Sequence, residues 1–207
     1  MRVPRLTAGF GILAMVFTLA VSGCRSAATP VAFYTLSPIQ EAANDAPKAS
    51  ALRELVITVG PAWLPDFMNR PQIVTRTGEN RLQLSEFHRW AGDLNKDFLN
   101  TLAENLSIRL ASPRINVFPW EEQVTPDYRV ALDVHQFEGR MGEAVVLNVT
   151  WSVRGQDQGA EPLVIRRSII RQAVSGSDYD TLVAAHSQAV GELSGEIATA
   201  IMGLAKQ

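Results

Sequence analysis

The chain has 207 residues, with 19 Lys and Arg, 21 Asp and Glu, and a formal net charge of −2 at pH 7. Because nucleic-acid-binding proteins usually present a strongly basic surface, we do not expect nucleic acid as a partner. The length is sufficient for one domain with its own hydrophobic core, and the single cysteine, Cys24, excludes an internal disulfide.

The N-terminal 24 residues have the features of a cleaved export signal. Residues 1–5 are basic at two positions, residues 6–21 are mostly apolar, and Val21-Ser22-Gly23 places small side chains directly before Cys24. These are the marks of a secretory signal, and the apolar run is short for a bilayer span, which needs about 20 residues. The arrangement resembles the bacterial lipobox. We therefore predict a lipoprotein signal peptide over residues 1–23 and lipidation of Cys24; the alternative is a secreted protein with a free thiol.

Residues 24–50 are expected to join the lipid anchor to the folded domain. They contain Cys24, a short strand at Val31–Leu36, and a linker over residues 37–50 that has two prolines and no apolar period. The tether from the cysteine to this strand spans at most roughly 25 Å, so we expect the domain to lie close to a lipid surface. Arg25, rather than Asp, follows the cysteine. By the sorting rule of enterobacteria-like lipoproteins, this favours the inner leaflet of the outer membrane, facing the periplasm.

The remaining residues, 51–207, are predicted to form one domain of strands and two long helices. Alternating apolar residues indicate half-buried strands, and apolar residues every three to four positions indicate helices. The predicted strands are 52–59, 73–77, 81–84, 115–120, 128–137, 145–153 and 163–174. The predicted helices are 86–111, capped by Ser85, and 178–204, capped by Asp178. The sequence thus predicts an α/β or α+β fold: a single domain with a largely antiparallel sheet, which the first strand joins, and two long helices packed on it.

Three features of these elements bear on packing. Along the first helix, an apolar residue recurs every fourth position, and the stripe drifts by about 40° per step; its members are Trp90, Leu94, Phe98, Leu102, Leu106 and Leu110. Either other elements enclose this helix, or its last turns face a different partner. In the second helix, Gly191 and Gly195 each weaken the helix by up to about 1 kcal/mol relative to alanine, which predicts close packing there. Trp151 lies in an alternating apolar face and is predicted to be buried.

The chain contains no recognisable catalytic or metal-binding motif. His88, His135 and His186 lie far apart on different predicted elements, so zinc has no support from the sequence. Ser175-Gly176-Ser177 is not the Gly-x-Ser-x-Gly elbow of hydrolases. We therefore expect no cofactor and no metal, and the sequence shows no catalytic constellation. A lipid-anchored hydrolase is the less favoured alternative, and it requires Ser175 or Ser177 to meet His186 and an acid.

One apolar segment stands out between the first predicted strands. Residues 61–71 place Trp, Leu, Phe and Met side chains in a connection with three prolines, and aromatic residues, Met and Arg are enriched at protein interfaces. The alternative is that the segment caps one end of the core, and both interpretations can hold together. We expect a surface for self-association or for a partner to include part of this segment, the end of the first helix, or both. The candidate interface residues are Trp63, Leu64, Phe67, Met68, Arg70, Leu106 and Leu110.

A series of short motifs runs through nearly the whole chain after Cys24. They are Tyr34-Thr35-Leu36, Pro61 with Leu64–Val74, Phe87–Ala91, Leu102–Leu106, Val117–Trp120, Asp127–Val130, Phe137–Gly139 and Trp151. Each motif is weak alone, but their order and spacing together resemble the PqiC-type family of ABC-transport auxiliary lipoproteins, the lipoprotein partners of MCE (mammalian cell entry) lipid transporters. Where the family commonly has Tyr-Leu, this chain has Phe67-Met68, which is a conservative departure.

The resemblance implies a non-enzymatic role at the outer membrane. Such lipoproteins dock the end of a periplasm-spanning MCE protein, and an inner-membrane permease and a cytoplasmic ATPase belong to the same system. Lipids or other hydrophobic molecules would pass between the membranes, supporting envelope integrity. The family has no catalytic residues to transfer, so Cys24 is the one position carried over. The alternative is a lipoprotein that assists another envelope machine, for lipopolysaccharide or peptidoglycan assembly.

Overall fold

A computed structural model describes residues 29–40, 52, 54–119, 125–157 and 159–206. The predicted signal peptide, Cys24 and most of the linker lie outside the described residues. The elements follow the order β1 (Ala32–Tyr34), β2 (Ile57–Trp63), a 3₁₀ helix (Asp66–Met68), β3 (Gln72–Arg76), β4 (Leu82–Trp90), α1 (Leu94–Leu110), β5 (Ile115–Val117), β6 (Tyr128–Gln136), β7 (Ala144–Arg154), β8 (Val164–Ala173) and α2 (Tyr179–Leu204). Neither α1 nor α2 combines the length and apolarity that a bilayer span requires.

The described strands form two sheets. The smaller has the order β1-β4-β3, and the larger has the order β5-β2-β6-β7-β8. The β3–β4, β6–β7 and β7–β8 pairs are antiparallel, whereas β1 runs parallel to β4, and β2 runs parallel to both β5 and β6. Isolated bridges from Gly139 to Thr75 and to Val145 connect the sheets. The predicted α+β class is confirmed, with the strands divided between two sheets.

The alternating sequences of the antiparallel strands give each strand one buried face and one more exposed face. Along β7, residues from Val145 to Val153 alternate between buried and half-buried positions, because successive side chains of a strand point to opposite faces. Trp151 is 1% exposed, which confirms its predicted burial. Its indole Nε1 donates to the Ser168 hydroxyl of β8 at 2.9 Å, and that hydroxyl in turn donates to a carboxylate oxygen of Glu196 in α2.

The start of the first helix was wrongly placed by the sequence pattern. β4 continues to Trp90, and α1 begins only at Leu94, where the Asp93 carboxylate caps the helix by accepting from the Lys96 N–H at 3.0 Å. Ser85 is therefore not an N-cap. Residues 86–90 extend as a strand because β4 is the central strand of its sheet, with β1 on one side and β3 on the other. The four-residue spacing of Trp90 and Leu94 fits one face of a strand as well as one face of a helix. Pairing with the neighbouring strands decides between the two at this boundary.

The second strand also differs from its prediction. It begins at Ile57 and runs through Gly60 and Pro61 to Trp63, into the stretch that was expected to be a loop. The pairing with β6 shifts register between Val59 and Ala62, and such an irregularity accommodates a proline in a strand. Gly60 has φ +109°, a conformation that favours glycine.

The two helices pack against each other and enclose the apolar stripe of α1. Leu106 and Leu110 are fully buried, and Arg109 reaches α2, where it donates to the Ser194 hydroxyl at 2.9 Å and to the Gly191 carbonyl at 3.0 Å. Of the two alternatives for the stripe, enclosure by other elements is correct. The close packing predicted at the glycines is also confirmed, because a Cβ on Gly191 would lie 2.8 Å from Ile39 Cγ2.

Residues 35–39, which follow β1, are hydrogen-bonded to both helices. The Leu36 N–H donates to the Asp97 carboxylate at 2.8 Å, and the Ile39 N–H donates to Asn105 Oδ1 at 2.7 Å, both on α1. The Ser37 N–H donates to the Ser187 hydroxyl of α2 at 3.0 Å. The start of the folded unit is therefore held by hydrogen bonds between its backbone and side chains of two helices.

Candidate functional site

The segment Pro61–Pro71 both caps the core and presents side chains to solvent. Met68 is buried, and Leu64 and Phe67 are half-buried against the core. Trp63, at the end of β2, is 58% exposed, and Arg70 is also exposed. The 3₁₀ helix holds this shape through a hydrogen bond from the Met68 N–H to the Pro65 carbonyl at 2.8 Å. The segment therefore caps one end of the core, and its role as an interface stays a prediction.

A groove lies beside this segment, at the N-terminal end of α1. Its volume is about 480 Å³. Its lining residues come from the segment, from α1 and from the end of β5: Asn69, Asp93, Asn95, Lys96, Leu99, Asn100, Val117, Phe118 and Pro119. The Asn95 side-chain amide donates to the Ala62 carbonyl at 2.8 Å, and this bond holds the start of α1 against the end of β2. A smaller concavity of about 240 Å³ shares Asn69 and Asp93 and adds Arg70.

Phe118 is a member of this region that the list of candidates omitted. Its side chain is 49% exposed, and its N–H donates to the Val59 carbonyl at 2.9 Å, next to the β2 bulge. The available signal was an aromatic residue directly before Pro119, at the end of a short strand. We call Asn69, Arg70, Lys96 and Phe118 the α1-end surface. Trp63 pairs with Asp133 of β6, next to the buried Ala62–Leu132 pair, so it lies on the other face of the larger sheet. The α1-end surface combines an exposed aromatic residue with an arginine, and both residue types are enriched at protein interfaces.

Three of the predicted interface residues do not belong to this surface. Leu106 and Leu110 are completely buried, and Met68 is nearly so, so the prediction that they are available to a partner is wrong. The first two lie in the hydrophobic core, and with a rise of 1.5 Å per residue the end of α1 is about 20 Å from Asn95. Leu64, Phe67 and Arg70 lie in the segment Pro61–Pro71, away from the far end of α1.

The histidines occupy three unrelated environments. The His186 ring is buried; its Nδ1–H donates to the Leu182 carbonyl at 2.8 Å, and its edge faces Phe137 with centroids 4.9 Å apart. Burial lowers the pKa of His186 below its ordinary value, so the ring is neutral at pH 7. His88 stacks on Tyr179 with centroids 3.9 Å apart, and His135 Nε2 is 2.9 Å from the Thr150 hydroxyl.

These environments bear on the hydrolase alternative. Ser175 and Ser177 are exposed, whereas His186 is fully enclosed and uses Nδ1 on a backbone carbonyl. The three side chains required by that alternative are therefore not assembled. Among the described residues, no group of three His, Cys, Asp or Glu side chains is placed to hold a metal ion.

One buried ion pair has a structural role at the junction of the sheets. Glu138 is buried and accepts from Arg76 Nε at 2.8 Å and from the Gln136 amide at 3.2 Å. Beside it, the Arg76 backbone N–H donates to the Gly139 carbonyl at 2.9 Å. A buried carboxylate needs such partners, and here they tie β3 of one sheet to the end of β6 in the other.

Comparison with known proteins assigns the chain to a family. The sequence model of a family described as the ABC-type transport auxiliary lipoprotein component matches residues 34–198. The intermembrane transport lipoprotein PqiC of Escherichia coli (strain K12) is 23% identical over 172 residues, which cover 83% of this chain and 86% of the relative. The protein of the same name from Shigella flexneri matches equally.

Solved structures share the fold at low sequence identity. The crystal structure of an uncharacterized protein superposes with a TM-score of 0.67 and 22% identity, covering 84% of this chain and 99% of that protein. A protein from Xanthomonas campestris superposes with a TM-score of 0.62 and 16% identity, covering 80% and 91%. The family match begins at the last residue of β1 and ends within α2, so it includes β2 to β8, all of α1 and most of α2. The chain therefore belongs to the ABC-type transport auxiliary lipoprotein component family, of the PqiC kind.

Proposed function

We propose that this chain is a non-enzymatic lipoprotein subunit of an MCE-type intermembrane lipid transport system. In this proposal the lipid on Cys24 anchors the protein in the inner leaflet of the outer membrane, where the domain docks the periplasmic MCE-domain protein. An inner-membrane permease and an ATPase complete the system. The observation that carries the proposal is the family match over residues 34–198, together with relatives named as intermembrane transport lipoproteins.

The α1-end surface supports the docking role and is the part we assign to the MCE-domain partner. Phe118 is large, exposed and apolar, and aromatic side chains of this kind dominate the binding energy of protein interfaces. Its backbone N–H donates to the Val59 carbonyl of β2, so the residue is held against the sheet. A preformed surface binds with a smaller loss of conformational entropy than a mobile one.

Capture of the partner from intact cells tests this proposal. The lipidated protein is crosslinked in the envelope, purified, and its partners identified, with its oligomeric state measured alongside. The variants Arg70→Asp and Phe118→Asp should each reduce capture of the MCE-domain protein by at least about tenfold. Phe87→Asp is the matched control, because Phe87 is an exposed aromatic residue on the other sheet, in β4.

The outcomes separate the function from the surface. If the wild type captures components of lipopolysaccharide or peptidoglycan assembly and no MCE-domain protein, the proposed function is wrong. If it captures the MCE-domain protein and the two variants do so equally well, the function stands and the docking surface lies elsewhere. The anchor is tested separately: the wild type should incorporate labelled palmitate, and Cys24→Ser should not. Equal labelling of the two would refute lipidation at this position.

A further inference from the structure

The larger sheet has one face without a covering layer in the described structure. α2 packs against β7 and β8 on one side, and the residues of β7 that face it, such as Val149 and Trp151, are buried. Residues directly opposite in a β-ladder share a face, so the register identifies the other side. There, Thr150 of β7 pairs with Asp133 of β6 and with Arg167 of β8.

On the edge strand β8, this open face alternates between apolar and basic side chains. Ile165 is 63% exposed and Ile169 is 68% exposed, and Arg167 and Arg171 lie next to them on the same face with exposed side chains. The exposure of two isoleucines separated by one arginine is unusual for a surface that faces only water. We call these four residues the β8 face.

The open face also carries more positive than negative side chains, although the net charge of the whole chain is negative. Its outward side chains on β6, β7 and β8 include the arginines 129, 154, 167 and 171 and the single carboxylate of Asp133. Within the described part of the chain, the ion pairs involve other arginines. Arg154 Nη1 donates to the Ala160 carbonyl at 2.8 Å and Arg167 Nε to Asn148 Oδ1 at 3.0 Å, and these neutral partners leave the guanidinium charges uncompensated. A chain of net charge −2 thus places an excess of positive charge on one face.

This pattern matches the chemistry of an anionic bilayer surface. Arginines near such a surface are attracted by its negative potential, while aliphatic side chains between them enter the boundary between headgroups and acyl chains. Addition of a partner strand is the competing use of a sheet edge. Charged residues along an edge strand oppose that pairing, and β8 carries Arg166 and Arg171 as well as Arg167. We propose that the β8 face binds the surface of a bilayer that contains anionic phospholipid.

Vesicle flotation tests this proposal without any protein partner, so its failure is distinguishable from failure of the docking role. The protein is the mature span 24–207 carrying Cys24→Ser, which retains every described element and has no acyl anchor. It should float with vesicles of phosphatidylethanolamine and phosphatidylglycerol, and it should not float with vesicles of phosphatidylcholine alone. Binding should weaken as the salt concentration rises, since screening shortens the reach of the arginines.

Paired variants locate the binding surface. Arg167→Gln with Arg171→Gln should weaken partitioning to the anionic vesicles about 30-fold, since each arginine near the surface contributes about fivefold. Ile165→Ser with Ile169→Ser should weaken it about tenfold at unchanged charge. The matched control removes two positive charges elsewhere, with Arg81→Gln and Lys206→Gln, both exposed and outside the larger sheet. This control should float like the parent protein.

A fluorescence measurement tests contact between the β8 face and the bilayer even if a double variant fails to fold. An environment-sensitive dye on Ile169→Cys should shift to shorter wavelength with anionic vesicles, and the same dye on Arg81→Cys should not. The proposal is overturned if the parent protein does not float with anionic vesicles, if the control loses binding as much as the arginine pair, or if the dye at position 169 reports only water. Binding of an acidic protein in place of vesicles would overturn it equally.

Discussion

Replacement of Trp151 by alanine tests whether the larger sheet and α2 form one cooperative core. The indole is 1% exposed, so the substitution removes a whole buried ring, for which the expected loss of unfolding free energy is about 3–5 kcal/mol. It also removes the donor to Ser168, whose hydroxyl bridges to Glu196 in α2. Trp151→Phe keeps most of the ring volume and deletes only this donor, so it should cost about 1–2 kcal/mol.

Urea unfolding followed by far-ultraviolet circular dichroism measures both values. The matched control is Trp63→Ala, since Trp63 is 58% exposed and surface substitutions usually change stability by no more than about 0.5 kcal/mol. Because a typical domain has a stability of about 5–15 kcal/mol, Trp151→Ala should lower the midpoint substantially. A loss below about 1 kcal/mol for Trp151→Ala, or an equal loss for the two tryptophans, would refute the assignment of β7 to the core.

Four further substitutions test the packing in other places. Leu110→Asp places a charge in the hydrophobic core and should unfold the domain rather than only disrupt assembly, as measured by circular dichroism. Burial keeps the pKa of His186 below its ordinary value, so the unfolded state binds the proton more readily, and stability should be full above about pH 6.5 and fall as the pH decreases through the native pKa. Below about pH 6.5 the wild type should therefore lose more unfolding free energy than His186→Gln. Gly139→Ala should cost about 1–3 kcal/mol in denaturant unfolding, because its Cβ would lie 2.7 Å from Leu182 Cδ1, whereas Gly203→Ala, with open space around it, should stabilise α2 by up to about 1 kcal/mol.

Each of these expectations has a contrary outcome. A folded Leu110→Asp protein would mean that the end of α1 is not packed into the core. Identical pH profiles for His186→Gln and the wild type would mean that the ring is accessible to protons in the native state. Equal stability of the two glycine variants would mean that the junction between the sheets has free space.

The sequence was most informative where one local pattern covers a whole element. β7 alternates between buried and half-buried positions from Val145 to Arg154, and α2 carries both an N-cap at Asp178 and a continuous apolar face over 26 residues. The family resemblance was also confirmed, because it rests on the order of motifs along the chain. In these cases local geometry and tertiary packing favour the same structure.

The sequence failed where the deciding contacts are distant. Residues 86–90 became a strand because β1 and β3 flank β4, and that pairing is invisible in a local window. Leu106 and Leu110 resembled a stripe without a partner because the helix that packs against α1 is distant in the sequence. Ser194 of α2, which contacts Arg109, lies 85 residues further along the chain. The α1-end surface likewise joins residues 69–70, 96 and 118, which only folding brings together.

The hydrogen bonds of residues 35–39 determine how the domain responds to a mechanical pull. If Cys24 is the anchor, any force between the membrane and the domain enters the folded unit through β1, which has three registered pairs with β4. The next contacts are those of Leu36, Ser37 and Ile39. Because these bonds end on Asp97 and Asn105 of α1 and on Ser187 of α2, tension is divided between the two longest elements of the core. A pulling force on the tether is thus transmitted to the whole domain. If a partner is docked, the membrane anchor can therefore resist a force on that partner before any loop unfolds.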